Sequence, residues 1–252
     1  MLTVRTLITC FLRTYFVGTG FNTRGLQNTG LVFAMEPGLR ELYKDPESLR
    51  EARNRYLELY NTHPFWTPLL VGVFLSLESH ISKGNLPPKM LSSVKETTTY
   101  TLSAIGDSFF GGSLLSMWAL STVCLLVAGF EGLAFTWTAL LFFALQFFKF
   151  FTFAAGVRDG LKVISSLKNW DLINWGDKIK LANSFMLVLM LYLFWPGTHN
   201  IAEWTLIAGT LLGASYLVGR LHLSRVLLVY ILLFFVFFLL PWINKIIPLS
   251  LY

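Results

Sequence analysis

The chain is 252 residues long, 54% hydrophobic and 16% aromatic, with 13% charged residues and a net charge of +6. Soluble domains average about 25% charged residues, so the composition excludes an ordinary soluble domain and indicates a polytopic membrane protein. The basic residues flank apolar runs instead of gathering on one polar domain, which speaks against nucleic acid as a partner.

Residues 1–100 hold 11 of the 20 basic and 8 of the 14 acidic residues and form a mixed, amphipathic part. Met1 to Phe16 reads as a retained interfacial segment, because Arg13 interrupts its apolar run and no small-residue cleavage site follows. Asp45-Pro46 predicts a helix start, with Asp as cap and Pro in the first turn. Leu49, Ala52, Tyr56 and Leu59 then recur at helical spacing, and Glu51 and Arg55 form a favourable pair four residues apart. The stretch Asn61-Thr62-His63-Pro64 ends this helix, since residues before proline avoid the helical region. The apolar run Leu69 to Leu77 ends at Glu78. Its length is about 14 Å as a helix, half of a hydrocarbon core, so it predicts a re-entrant or buried half-helix.

After a threonine-rich stretch comes Ala104-Ile105-Gly106-Asp107-Ser108-Phe109-Phe110-Gly111-Gly112. A carboxylate in apolar, membrane-grade sequence is costly unless it faces a cavity or a partner, which marks Asp107 as a functional candidate. The glycines allow close backbone approach, as a re-entrant or broken helix requires. Apolar candidates for spans follow at 109–130, 133–157, 181–195, 201–218 and 226–242. Lys149, inside the second, is expected to snorkel or to meet a carboxylate of a partner. The positive-inside rule puts the connection 158–180 and the basic turn 220–225 in the cytoplasm, and the turn Pro196 to Asn200 outside. The expected fold is all-α: an amphipathic part over 1–100 with a short re-entrant segment, then a membrane-embedded helical part over 101–252.

Cys10 and Cys124 lie far apart, with neither disulfide nor metal-ligand spacing, and read as apolar fillers. No paired carboxylates, nucleophile–base spacing or phosphate-binding loop stands out, so no catalytic residue, metal or cofactor is expected. The polar residues weighed as a binding site are Asn61, His63, Glu78 and Asp107. Asp107 reads either as an acceptor for ligand hydroxyls or as a cap receiving backbone N–H groups. Glu78 reads as facing the same cavity, as pairing with Lys95, or as an interfacial residue reaching water. Asn61 and His63 read as donors to a ligand or a partner, or as a helix C-cap and a structural histidine. Arg24 and Gln27 are placed three apart on one helix face, and Glu36 in the first turn of a helix before Pro37. With Lys95, these are candidates for a subunit interface.

Several segments together resemble one family. They are Gly20-Phe21-Asn22-Thr23-Arg24-Gly25-Leu26-Gln27, Gly30, Phe33-Ala34-Met35-Glu36-Pro37, Leu42-Tyr43 and Tyr60-Asn61-Thr62-His63-Pro64-Phe65. Leu70-Val71-Gly72-Val73, Leu77-Glu78 and Ile105-Gly106-Asp107-Ser108 with Phe110 and Gly112 complete the set. In order and spacing they resemble the IID component of the mannose/fructose/sorbose family of the bacterial sugar phosphotransferase system. The family usually carries Gly-Pro where Tyr100-Thr101 stands, a Trp at Gly111, and Arg-Pro where Leu115-Ser116 stands.

The resemblance implies a multi-pass subunit of the bacterial cytoplasmic (inner) membrane. It would form a translocation path for a hexose-like sugar with a IIC subunit, in a hetero-oligomer of several protomers. It would dock the phosphocarrier IIB, itself charged by IIA, and would hold no phosphohistidine of its own. The alternative reading is a transport-deficient regulatory or scaffold component that binds phosphotransferase carriers.

Overall fold

The computed structural model describes residues 2–194 and 225–234, with isolated positions between them. The chain divides into two compact units, 1–190 and 191–252. In the first, α1 spans Val4–Arg13 and runs into a 3-10 turn, Thr14–Gly20. Helices α2 (Asn28–Leu42), α3 (Pro46–Asn54) and α4 (Thr67–Ile81) follow. Then come α5 (Pro88–Gly106), a π-helical segment (Asp107–Leu114) and α6 (Leu115–Val127), which form one continuous helix. Helix α7 (Glu131–Asp159), the short α8 (Leu161–Leu167) and α9 (Leu172–Phe194) complete the order. In the second unit, α10 (Arg225–Phe234) presents Val226, Tyr230 and Phe234 on its surface. The turn at 196–200, most of the span at 201–218 and most of the turn at 220–225 lie outside the described residues, as does the chain beyond 234.

Helix α4 is the centre of the first unit. Leu69, Leu70, Val71, Val73, Phe74 and Leu75 are completely buried. Of the two sequence expectations for this run, α4 is the buried helix, and it is longer than expected at both ends. It crosses α7 where two glycines meet. A Cβ on Gly72 would lie 2.4 Å from the carbonyl oxygen of Phe153, and one on Gly156 would lie 2.6 Å from that of Leu69. Small residues at a crossing bring backbones together, and with them the packing area of both helices.

Among the described residues two helices, Pro88–Val127 and Glu131–Asp159, are long and apolar enough to cross a membrane. Helix α1 adds an exposed stripe of Val4, Ile8 and Leu12, an amphipathic form suited to a membrane interface.

Helix α2 continues through Pro37, which cannot donate to the carbonyl of Phe33. Arg13 replaces the lost donor: its guanidinium donates to Phe33 O at 3.1 Å and lies 4.4 Å from the Phe33 ring centre. Glu36 therefore sits within a helix and not in a first turn. Its carboxylate binds Arg40 and Arg53, tying α2 to α3.

Asp45 caps α3 as expected, accepting from Ser48 N at 2.8 Å. The helix ends at Asn54, earlier than its apolar spacing suggested. Beyond that end Arg55 pairs with Glu78 (2.7 Å) and not with Glu51. The segment 20–30 is a knot, with no helix carrying Arg24 and Gln27 together. Leu26 has a positive φ of 58°. Asn22 Oδ1 accepts from the N–H groups of Arg24 and Gly25 at 3.0 and 2.8 Å. Gln27 N donates to Tyr60 O at 2.8 Å, and Gln27 Oε1 accepts from Thr62 N at 3.1 Å. Gln27 thus brackets Asn61, which is exposed.

Candidate functional site

The polar candidates separate into two groups. The first is buried. Glu78 is completely inaccessible, and its carboxylate accepts from Arg55 Nη2 at 2.7 Å, Tyr43 Oη at 2.6 Å and Tyr56 Oη at 2.9 Å. Burial and the Glu78 charge push both tyrosine hydroxyls up, which keeps them protonated as donors. A buried carboxylate with these partners is a structural centre. Lys95 belongs to a different contact: its ammonium pairs with Glu58 at 2.7 Å and donates to the carbonyl of Arg55. The expected Glu78–Lys95 pair is replaced by two separate anchors meeting at Arg55.

The second group gathers around His63. Gly106 makes the approach possible, since a Cβ there would lie 2.3 Å from His63 Cβ and 2.9 Å from Trp66 Cδ1. Helix α5 can therefore lie directly against the 63–66 turn, which carries Asp107 to the vicinity of His63. The imidazole stacks on Phe110 and Phe65, with ring centres at 5.3 and 5.5 Å. His63 Nδ1 accepts from Phe65 N at 3.4 Å, leaving Nε2 for another partner. Burial holds the His63 pKa below its usual value, Asp107 opposes that shift and Lys149 adds to it.

Asp107 is exposed at the first position of the π-helical segment. The expected broken helix is absent: the backbone stays hydrogen-bonded through a widened turn. Tyr100-Thr101 and Leu115-Ser116, standing where the family usually carries proline pairs, are compatible with that continuity. Ser113 Oγ donates to Ser108 O, five residues back, at 2.9 Å. Helix α9 attaches here, with Asn183 Nδ2 donating to Ser113 O at 2.9 Å and Lys180 Nζ to Ser108 Oγ at 3.3 Å. π-Helical turns are rare and often accompany functional sites.

Lys149 reaches the same region from α7. Its ammonium lies 4.4 Å from the Tyr15 ring centre and 4.9 Å from that of Phe65, in cation–π contact. Tyr15 Oη donates to Gln146 Oε1 at 2.7 Å. Sequence reasoning flagged His63, Asp107 and Lys149 and noted Phe65 and Phe110 only within the resemblance; Tyr15 and Gln146 were missed. Aromatic rings read as core or lipid-facing until the fold sets them beside charges. Arg24 is exposed in its turn, away from any described ion pair. Among the described residues no group of three or more His, Cys, Asp or Glu side chains is placed to hold a metal ion. Both cysteines are buried and free, and burial pushes the Cys10 thiol up to about 11.

Among the described residues, a buried helical core carries two membrane-length helices, with a polar and aromatic cluster beside a π-helical turn, the architecture of a helical membrane protein. A family model for the PTS system mannose/fructose/sorbose family IID component matches residues 1–194, and the chain belongs to that family. It is 29% identical over 114 residues to the fructose permease IID component of Bacillus subtilis strain 168, covering 45% of this chain and 42% of that one. It is 31% identical over 111 residues to the mannose-specific EIID component of Escherichia coli K12, covering 43% and 39%. These alignments thus span about two fifths of the length of each relative. A chain from the mannose transporter ManYZ bound to microcin E492 superposes with a TM-score of 0.56 at 19% identity, covering 93% of this chain and 95% of that one. A second solved membrane protein superposes with a TM-score of 0.66 at the same identity and coverage. At such identity the likeness establishes the fold.

Proposed function

We propose that this chain is the IID membrane subunit of a mannose-family phosphotransferase sugar transporter, forming the translocation path with a IIC subunit and docking phospho-IIB. The observation that carries the reading is the cluster of His63, Asp107 and Lys149 among aromatic rings, held at a π-helical turn of a membrane-length helix. Aromatic faces suit the apolar face of a hexose. An exposed carboxylate accepts two sugar hydroxyls, and His63 Nε2 stands beside it as a further polar partner. Asn61, exposed two residues before His63, is a further candidate polar contact. Glu78 has a structural role, holding Tyr43, Arg55 and Tyr56 together in the N-terminal part. Arg24, Gln27, Glu36 and Lys95 fall on the N-terminal part, where Arg24 is the side chain left open to a subunit partner. The setting is the bacterial cytoplasmic membrane, with several passes and several protomers per complex, and IIA charges IIB.

The test is co-expression with a IIC subunit and the IIA and IIB carriers, followed by uptake of labelled mannose, with Asp107→Asn in parallel. Sugar phosphate accumulates with the wild-type chain and falls about tenfold or more in the variant, as loss of a charged hydrogen-bond acceptor predicts. A stable complex that binds IIB yet takes up no hexose overturns transport in favour of a regulatory role.

A further inference from the structure

A cavity of about 570 Å³ lies between α5, α8 and the start of α9, and Trp66 joins its wall to the 63–66 turn. This volume is within the range of ligand pockets. Its walls are aliphatic: Leu102 and Ile105 from α5, Ile164 and Leu167 from α8, Leu172 and Ile173 from α9. Its polar residues come from three places. Thr97, Thr98 and Thr101 line one side, and each hydroxyl donates to a carbonyl four residues back, leaving lone pairs free to accept. Trp66 lines the cavity as well, and its indole N–H is completely buried without a hydrogen-bond partner. Lys168 and Asp171 stand at the two ends of the 3-10 turn Lys168–Trp170.

These two charges are the informative pair. Lys168 and Asp171 both line the cavity, both are exposed, and they form no ion pair with each other. Asp171 accepts from Asn174 Nδ2 at 2.8 and 3.0 Å, which orients its carboxylate without neutralising it. A cation and an anion at the mouth of an aliphatic cavity match a ligand with one negative and one positive group on an apolar tail. A free hexose carries neither charge, and six aliphatic walls leave most of its hydroxyls unpaired. An anionic lipid satisfies Lys168 and is repelled by Asp171.

We propose that this cavity binds one glycerophospholipid with a phosphoethanolamine headgroup. Its phosphate sits on Lys168, its ammonium on Asp171 and the threonine oxygens, and one acyl chain lies along Leu102, Ile105 and Leu172. The lipid then bridges α5 to the α8–α9 connection beside the exposed indole of Trp175, a side chain suited to headgroup depth. The site is independent of the transport reading: a chain that moves no sugar still binds the lipid.

The test uses the full chain, delipidated in detergent, and phosphatidylethanolamine carrying a photoactivatable diazirine on one acyl chain. Cross-linked peptides are mapped by mass spectrometry while unlabelled lipids compete. Labels are expected on 102–105 and 164–173, with unlabelled phosphatidylethanolamine competing about tenfold better than phosphatidylcholine or phosphatidylglycerol. Lys168→Ala and Asp171→Asn, both at exposed positions, each weaken labelling several-fold, and Ile105→Trp fills the cavity and removes it. Labels spread evenly over the exposed face of α7 and unchanged by Lys168→Ala overturn the proposal, because the lipid is then annular. Equal competition by phosphatidylglycerol, or displacement by mannose, overturns it too.

Discussion

His63 shows how one residue acquires its properties from neighbours distant in sequence. Phe110 stacks on its ring, Gly106 brings Asp107 close and Lys149 arrives from α7. Burial lowers its pKa, so the neutral imidazole is the folded form. That contribution to stability is present above the unfolded value of about 6.5 and is lost as pH falls below it toward the folded value. Nuclear magnetic resonance of ring-labelled histidine should give a midpoint below that value. Asp107→Asn removes the one opposing influence and lowers the midpoint further; Lys149→Met raises it. Glu78 is the contrasting case, a carboxylate whose partners are all inside the protein. Removing one partner strands a buried charge, so Arg55→Met should cost about 3–5 kcal/mol. Arg55→Met with Glu78→Met should cost less than the sum of the single changes, read from denaturation midpoints in detergent.

At the scale of elements, the decisive contact is the crossing of α4 and α7. Each glycine there faces backbone, which cannot move aside as a side chain can. Gly156→Val should destabilise by about 1–3 kcal/mol or more through overpacking, seen as a lower melting temperature and faster proteolysis. Gly132→Ala is the control on the same helix. No atom lies within 4 Å of a Cβ at Gly132, so the change should be neutral, or stabilising by up to about 1 kcal/mol through helix propensity. The π-helical segment carries a different logic. Glycines that suggest a broken helix are accommodated by a wider turn in which the backbone remains bonded, as a membrane environment demands. The two exposed apolar helices α6 and α7 then meet through Trp137 Nε1 donating to Ser121 Oγ at 2.7 Å, a polar contact between lipid-length helices of the kind that fixes their rotation.

For the whole molecule, the N-terminal part acts as a buried support and the long helices as the membrane part. Leu31, Met35 and Leu39 of α2 join α4 in one core, while α7 exposes Phe135, Phe143 and Phe147. Disrupting Glu78 should abolish assembly and uptake alike, whereas Asp107→Asn should abolish uptake and leave the complex intact. Co-purification with IIC beside the uptake measurement separates the two effects.

Membrane insertion, helical class and family were legible in the residues themselves. They rest on local quantities: apolar run length, helix signals such as Asp45-Pro46, and ordered short motifs. The motifs proved to mark the knot at 20–30 and the Glu78 centre as much as any binding site, because residues that must meet in space are constrained wherever they meet. Partnership was the part left open. Glu78 faced a choice among Lys95, a cavity and water, and the fold supplied Arg55, since α3 ends early enough to turn that side chain inward. Lys149 awaited a carboxylate and received the rings of Tyr15 and Phe65. Asp107 stood in an expected break and lies on a continuous π-helical turn. Burial, pairing and the line between site and scaffold are long-range properties. They are set by which helices approach closely, and here one crossing of two glycines and one glycine beside a histidine decided that.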